Sequence, residues 1–201
     1  MHRVDDTALA DISLEEKREM LSADAERARA LEEQHKADFE VAAGRHNVAV
    51  AEAELTQREA EVRKAQSQLD LASVRREKTE LAAAEQQLDL AREGRRVAEA
   101  HLAWARERQA LLEQNVAVAR ANHRWADARY ELEKARLAAR KGRVPDKDFA
   151  VRSFEEQADR THRDVIDARL DATRHQEAAA KAERAFQEQE LKYQGRVKSK
   201  H

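Results

Sequence analysis

From Val41 to Ala139 every seventh residue belongs to one series: Val41, Val48, Leu55, Val62, Leu69, Arg76, Ala83, Leu90, Val97, Trp104, Leu111, Val118, Trp125, Leu132 and Ala139. Arg76 is its only polar member. A seven-residue apolar period holds one seam of a helix against a partner and imposes left-handed supercoiling. A turn inside the span would have to preserve this phase by chance. The series therefore predicts one helix over 47–141, about 140 Å long at about 1.5 Å per residue.

Composition points the same way. Of 201 residues, 39% are charged and 4% aromatic, with four Gly, one Pro and no Cys. An Ala-rich, aromatic-poor chain covers a narrow seam and does not fill a thick two-layer core. The expected class is all-α: an elongated antiparallel coiled coil, a rod with one very long central helix and a shorter helix folded back at each end. The 38 basic and 40 acidic residues are interspersed for a net charge of −2, so no basic face marks the chain as a nucleic-acid binder. Sustained periodicity argues against disorder. No apolar run reaches membrane-spanning length, and Met1–Ser13 has no signal-peptide core. A mature segment that had shed a leader would read the same way.

Residues 1–12 are polar and aperiodic and are expected to be disordered. Ser13 and Glu16 form a capping-box pattern that opens a first helix over 13–43, marked by Leu14, Leu21, Ala28 and Leu31 in a different phase from the main series. Gly44 suits a left-handed C-cap and Asn47 the next N-cap. Gly94 is a soft spot without a break. The c positions Lys78, Glu85, Arg92, Glu99, Arg106, Glu113, Arg120, Asp127, Lys134 and Lys141 are all charged and define a face expected in water. Ala51, Ala65, Ala72, Ala100, Ala121, Ala128 and Ala135 at d let a partner helix approach closely. A second apolar stripe runs along Val74, Leu81, Leu88, Leu102, Val116, Tyr130 and Leu137. Two stripes need more than one neighbour, so this stripe is the candidate interaction surface, covered by a third helix or by a second copy. A homodimer is the preferred state, with other protein partners as a further option.

Lys141-Gly142-Arg143-Val144-Pro145-Asp146 is the clearest stop: cations close the helix, Gly142 suits the C′ position and Pro145 blocks continuation. A returning helix over 146–194 carries its own heptads, Val151, Ala158, Val165, Ala172, Ala179, Phe186 and Tyr193 at a, with Phe154, Thr161, Ala168, His175, Ala182 and Gln189 at d. A basic tail follows at 195–201. Short connections force antiparallel neighbours.

Signals for chemistry are sparse. Glu32-x-x-His35 is half of a di-iron motif that needs a second copy, and Asp159–His162 is a weaker echo; an ordinary solvated face is the favoured reading. His175 reads as a tolerated polar d residue that fixes register, and Trp104 and Trp125 read as core fillers. No phosphate-binding loop, Gly-x-Ser-x-Gly turn or thiol occurs. No cofactor and no metal are expected. Arg140, Lys141 and Arg143 form a candidate contact at the turn, balanced against plain compensation of the helix dipole. Membrane contact is confined to that turn or the tail.

Leu132–Leu137 followed by Gly142-Arg143-Val144-Pro145-x-x-Asp148-Phe149 resembles the tip of the α-hairpin of periplasmic adaptor (membrane-fusion) proteins, over about Leu111 to Arg174. Those hairpins carry Ala-rich heptads up to a Gly-x-(Ile/Val)-(Ser/Pro)-x-x-(Asp/Glu)-(Phe/Tyr) turn. No Gly-rich β-segments flank the hairpin, and the docking Arg-x-x-x-Leu pattern is missing at its tip. The resemblance therefore implies an envelope-type helical hairpin and a periplasmic or cell-envelope location, with the cytoplasm as the alternative. The function expected is non-enzymatic: a rigid spacer or scaffold. A BAR-like membrane-binding module is the first alternative and a metal-binding helical bundle the second.

Overall fold

A computed structural model describes residues 3–75, 77–143 and 151–198. They form a 3-10 turn at Asp6–Leu9 and three helices, α1 (Arg18–Arg75), α2 (Lys78–Arg140) and α3 (Val151–Lys198), with no strand among the described residues. The chain is all-α, as expected.

The single helix over 47–141 is not formed: α1 ends at Arg75 and α2 begins at Lys78. Ser73 donates its hydroxyl to the Asp70 carbonyl at 2.6 Å, a local bond of the kind that competes with helix propagation. Arg75 reaches Glu80 across the turn at 3.7 Å, and the Leu81 N–H donates to the Glu77 carbonyl at 3.0 Å to open α2. Arg76 itself lies outside the described residues. The seven-residue spacing runs across the break in the sequence, although Ala83, its first described member after the break, is exposed.

The expected turn at Gly44 is absent too. α1 continues through it, and the only positive-φ glycine among the described residues is Gly142. A second line explains the apparent change of phase. Ala23, Ala30, Gly44, Ala51, Ala65 and Ala72 stand at multiples of seven from one another, and all are buried. Gly44 is a member of this small-residue line, and the helix needs no break there.

Contacts divide the chain into two units. The first joins Met1–Val41 to Leu112–Thr173. Within it α1 and α2 are antiparallel, since Glu19, Glu26 and Asp38 pair with Arg140, Arg129 and Arg120 in reversed order. Arg136 of α2 holds Glu155 of α3 at 3.0 Å. The core gathers Leu132, Ala135, Leu137 and Ala138 of α2 with Phe154 and Ala158 of α3, and with Val4, Leu9 and Ile12. The N-terminal residues expected to be disordered thus supply a share of this core. Ser13 and Glu16 do meet, with the Glu16 N–H donating to Ser13 Oγ at 3.4 Å as in a capping box and the Ser13 hydroxyl donating to Glu16 Oε2 at 3.2 Å, although α1 proper starts at Arg18.

The second unit joins Ala42–Leu111 to Arg174–His201. Ala51, Leu102 and Ala105 form its buried cluster, flanked by Val48 and Leu55. Gly94 is buried within a continuous α2, and a Cβ there would lie 3.6 Å from the Tyr193 ring. α3 passes through Gly195 to Lys198, so the expected tail from 195 is helical up to that point. Residues 199–201 of the tail lie outside the described residues. The a and d positions read for the returning helix are all buried or half-buried, as expected for its packing line.

α2 ends as its residues dictate. Gly142 takes φ +65°, the Arg143 N–H donates to the Ala138 carbonyl at 2.9 Å, and the Gly142 N–H donates to the Ala139 carbonyl at 3.1 Å. This pair of bonds is a Schellman cap. Residues 144–150, which include Val144, Pro145, Asp146, Asp148 and Phe149 of the hairpin resemblance, lie outside the described residues.

Candidate functional site

The second apolar stripe is not a free surface. Leu88, Leu102, Val116 and Leu137 are buried at 4%, 7%, 7% and 2% exposure, Leu81 and Tyr130 are half-buried, and Val74 alone stands out at 80%. Leu102 packs with Ala51, Val48 and Leu55 of α1, and Leu137 joins the core that includes Phe154. The expectation of a third helix or a second copy as the stripe's cover follows from joining α1 and α2 into one helix. Once the chain folds back at Arg75, its own helices cover it.

The charged c face of α2 is exposed from Lys78 to Arg120, but Asp127 is half-buried and Lys134 is buried at 3%. Lys134 is covered by the N-terminal segment. Asp5 caps the 3-10 turn by accepting from the Thr7 N–H at 3.0 Å, which holds its carboxyl below the usual range. The turn inserts Val4, Leu9 and Ile12 against α2 and α3. It also carries the Val4 N–H to Glu131 Oε2, 2.8 Å away, and Asp6 to Lys134 Nζ at 2.5 Å. Glu131 Oε1 lies 3.4 Å from the same ammonium. Burial pushes Lys134 toward deprotonation, but the Asp6 hydrogen bond and the Glu131 and Asp6 charges outweigh it, so its pKa lies above the ordinary value. Burial raises Tyr130 as well. Its ring is covered by the Arg27 guanidinium, 4.3 Å from the centroid.

The three turn cations of the sequence reading meet the same segment. Arg140 Nη2 holds Glu19 Oε2 at 2.8 Å, Lys141 pairs with Glu16, and Arg143 Nη1 lies 3.7 Å from Asp11 Oδ2. The hydrogen bonds from Lys141 and Ser13 keep the Glu16 carboxyl below its usual range. Sequence reasoning missed Glu131, Lys134 and the N-terminal anchors. Their signal was present in the spacing of Val4, Leu9 and Ile12 through an otherwise polar stretch rich in Asp.

Other titratable groups also bridge helices. His101 Nδ1 is 2.8 Å from Glu54 Oε2, with its ring 4.9 Å from Phe186 and 5.8 Å from Trp104. Trp104 and Phe186 stack at 5.6 Å with planes 6° apart, and His162 stacks on Trp125 at 4.8 Å. A groove of about 590 Å³ in the first unit is lined by Glu19, Glu26 and Glu133 against Arg129, Arg136 and Arg140. These pair off as Glu26–Arg129, Glu19–Arg140 and Glu133–Arg136.

Glu32 and His35 are exposed, and among the described residues no group of three or more His, Asp or Glu is placed to hold a metal ion. Among those residues no helix is long and apolar enough to cross a membrane. No family model, curated protein or solved structure matches the chain.

Proposed function

We propose that this chain is a non-enzymatic helical interaction protein, a spacer or scaffold that presents its ends and turns to partners and self-associates as a dimer. The observation that carries the reading is how its polar chemistry is used. His101–Glu54, Arg106–Glu52, Arg120–Asp38 and Arg129–Glu26 each tie one helix to another, and buried alanines let those helices approach closely. Such pairs set register and orientation. The self-association surface differs from the stripe first expected, since that stripe is covered within the chain. An envelope location, suggested by the hairpin resemblance, belongs to the same proposal. The membrane-binding alternative draws less support, because Arg140, Lys141 and Arg143 are each paired with a carboxylate of the same chain.

Small-angle scattering combined with light scattering tests this reading. A compact domain of this length has a radius of gyration of about 16–17 Å. A spacer gives a value far above that, with the mass of two chains. A monomer near the compact value would remove the spacer and the dimer together.

A further inference from the structure

The last residues of α2 and the first residues of α3 form a cationic, apolar-floored groove, and its present occupant defines what fits it. The floor is Leu132, Ala135, Ala138, Phe154 and Ala158. Lys134, Lys141 and Arg143 stand along the same stretch and are engaged by Asp6, Glu16 and Asp11 of the N-terminal segment, while Arg140 is engaged by Glu19 in the first turn of α1. Val4 ahead of these carboxylates, and Leu9 and Ile12 among them, fill the floor. The occupant is thus a short acidic segment with spaced apolar anchors.

Its grip is uneven. Val4, Leu9 and Ile12 are buried, whereas Asp6 and Asp11 are exposed at 82% and 84%. The Asp11–Arg143 pair, exposed on both sides, holds weakly and is screened by salt, whereas Asp6 bonds the buried Lys134 ammonium. The segment joins α1 through Ser13–Lys17, where a few turn-type bonds replace a regular helix. A tethered occupant competes through its effective concentration, on the order of millimolar for a short link. A second segment of the same chemistry, carried on a partner, can take its place when it binds better than the tether.

We propose that this groove of α2 and α3 is a docking site for an acidic, apolar-anchored peptide segment of a partner protein, and that residues 3–19 occupy it in cis and hold it closed. This rests on the scaffold reading and names the partner class. The two fail separately, because a compact monomer in scattering removes the spacer, whereas the titration below bears only on the groove.

The probe is a labelled synthetic peptide of residues 3–19, titrated by fluorescence anisotropy into three full-length chains: wild type, Leu9→Asp/Ile12→Asp, and that double variant carrying Arg140→Glu/Lys141→Glu as well. The expected result is at least about tenfold tighter binding to the double variant than to wild type, as removal of a tethered competitor requires. The added charge reversals should undo that gain, and raising the salt should weaken binding. A peptide of the same composition in scrambled order should not bind. Equal affinity for wild type and the double variant, or binding that survives the charge reversal, would overturn the proposal. So would co-sedimentation of the double variant with phosphatidylserine vesicles in the absence of peptide binding, which assigns the groove to lipid. A wild-type dimer that falls to monomers on Leu9→Asp/Ile12→Asp would assign it to a second copy. If circular dichroism shows that the double variant does not fold, Asp6→Asn/Asp11→Asn/Glu16→Gln/Glu19→Gln takes its place. That variant keeps every apolar anchor, and the wild-type peptide should bind it several-fold tighter than the wild-type chain, with the same contrary outcomes.

Discussion

The backbone N–H of Val4 donates to Glu131 Oε2 at 2.8 Å, and both residues are buried. A carboxylate near the C-terminal end of α2 thus accepts from a backbone N–H that has no partner in a regular element. The same carboxylate faces the Lys134 ammonium, so one side chain holds the strap and balances a buried charge. Replacing Glu131 with Ala leaves a buried N–H short of an acceptor and a buried cation short of a counter-charge. The expected loss is about 2–4 kcal/mol in chemical denaturation. Glu131→Gln, which keeps an acceptor and removes the charge, should cost less.

Alkaline pH probes the same cluster. Lys134 and Tyr130 have pKa values above the ordinary 10.5 and 10.0 in the folded chain. The folded state therefore binds more protons than the unfolded state once pH exceeds the unfolded values, and stability must fall as pH rises. Their contribution is fully present below about pH 10 and lost as pH passes through the folded values. Thermal melts between pH 9 and pH 11 should show this decline, and Tyr130→Phe should flatten part of it. An unchanged slope in that variant would remove Tyr130 from the explanation.

Close packing through small residues is tested by enlarging one alanine of α1, in the second unit, and one of α2, in the first. Ala51 and Ala135 are fully buried. Leu at either position forces helices apart or side chains off their rotamers, and about 1–3 kcal/mol should be lost in each case. Urea unfolding followed by circular dichroism measures both, and neutral substitutions would mean that the helices pack elsewhere.

Two glycines should respond with opposite signs. A Cβ at Gly94 would meet Tyr193 and Arg58 at 3.6–3.7 Å, an ordinary contact, so Gly94→Ala should gain about 0.5–1 kcal/mol from helix propensity. Gly142 has open space around it but a φ of +65°. Gly142→Ala should therefore lose about 1–2 kcal/mol through backbone strain alone. Melting temperatures of the two variants should move in opposite directions.

The sequence was legible where periodicity and capping chemistry act locally. The α3 heptads from Val151 to Tyr193, the end of α2 at Gly142 and the capping box at Ser13–Glu16 could all be read from residue type and spacing. The break between Arg75 and Lys78 could not, since no Gly or Pro marks it and the repeat continues across it in phase. Gly44 misled for the opposite reason: a residue that can end a helix here serves as the smallest member of a packing line. The missed break between Arg75 and Lys78 is what left the cover of the Val74–Leu137 stripe to a third helix or a second copy. The spacing of Val4, Leu9 and Ile12 is visible in the sequence, but their α2 and α3 partners lie more than a hundred positions away, and no local pattern names them.

Amide hydrogen exchange at Val4 in the full-length chain tests most directly whether the N-terminal segment is docked on the end of α2. A buried N–H bonded to Glu131 should exchange at least about a hundredfold more slowly than the same amide in a free peptide of residues 3–19, and Glu131→Ala should abolish most of that protection. Exchange of Val4 at the free-peptide rate in the wild-type chain would contradict the docked strap and the groove built upon it.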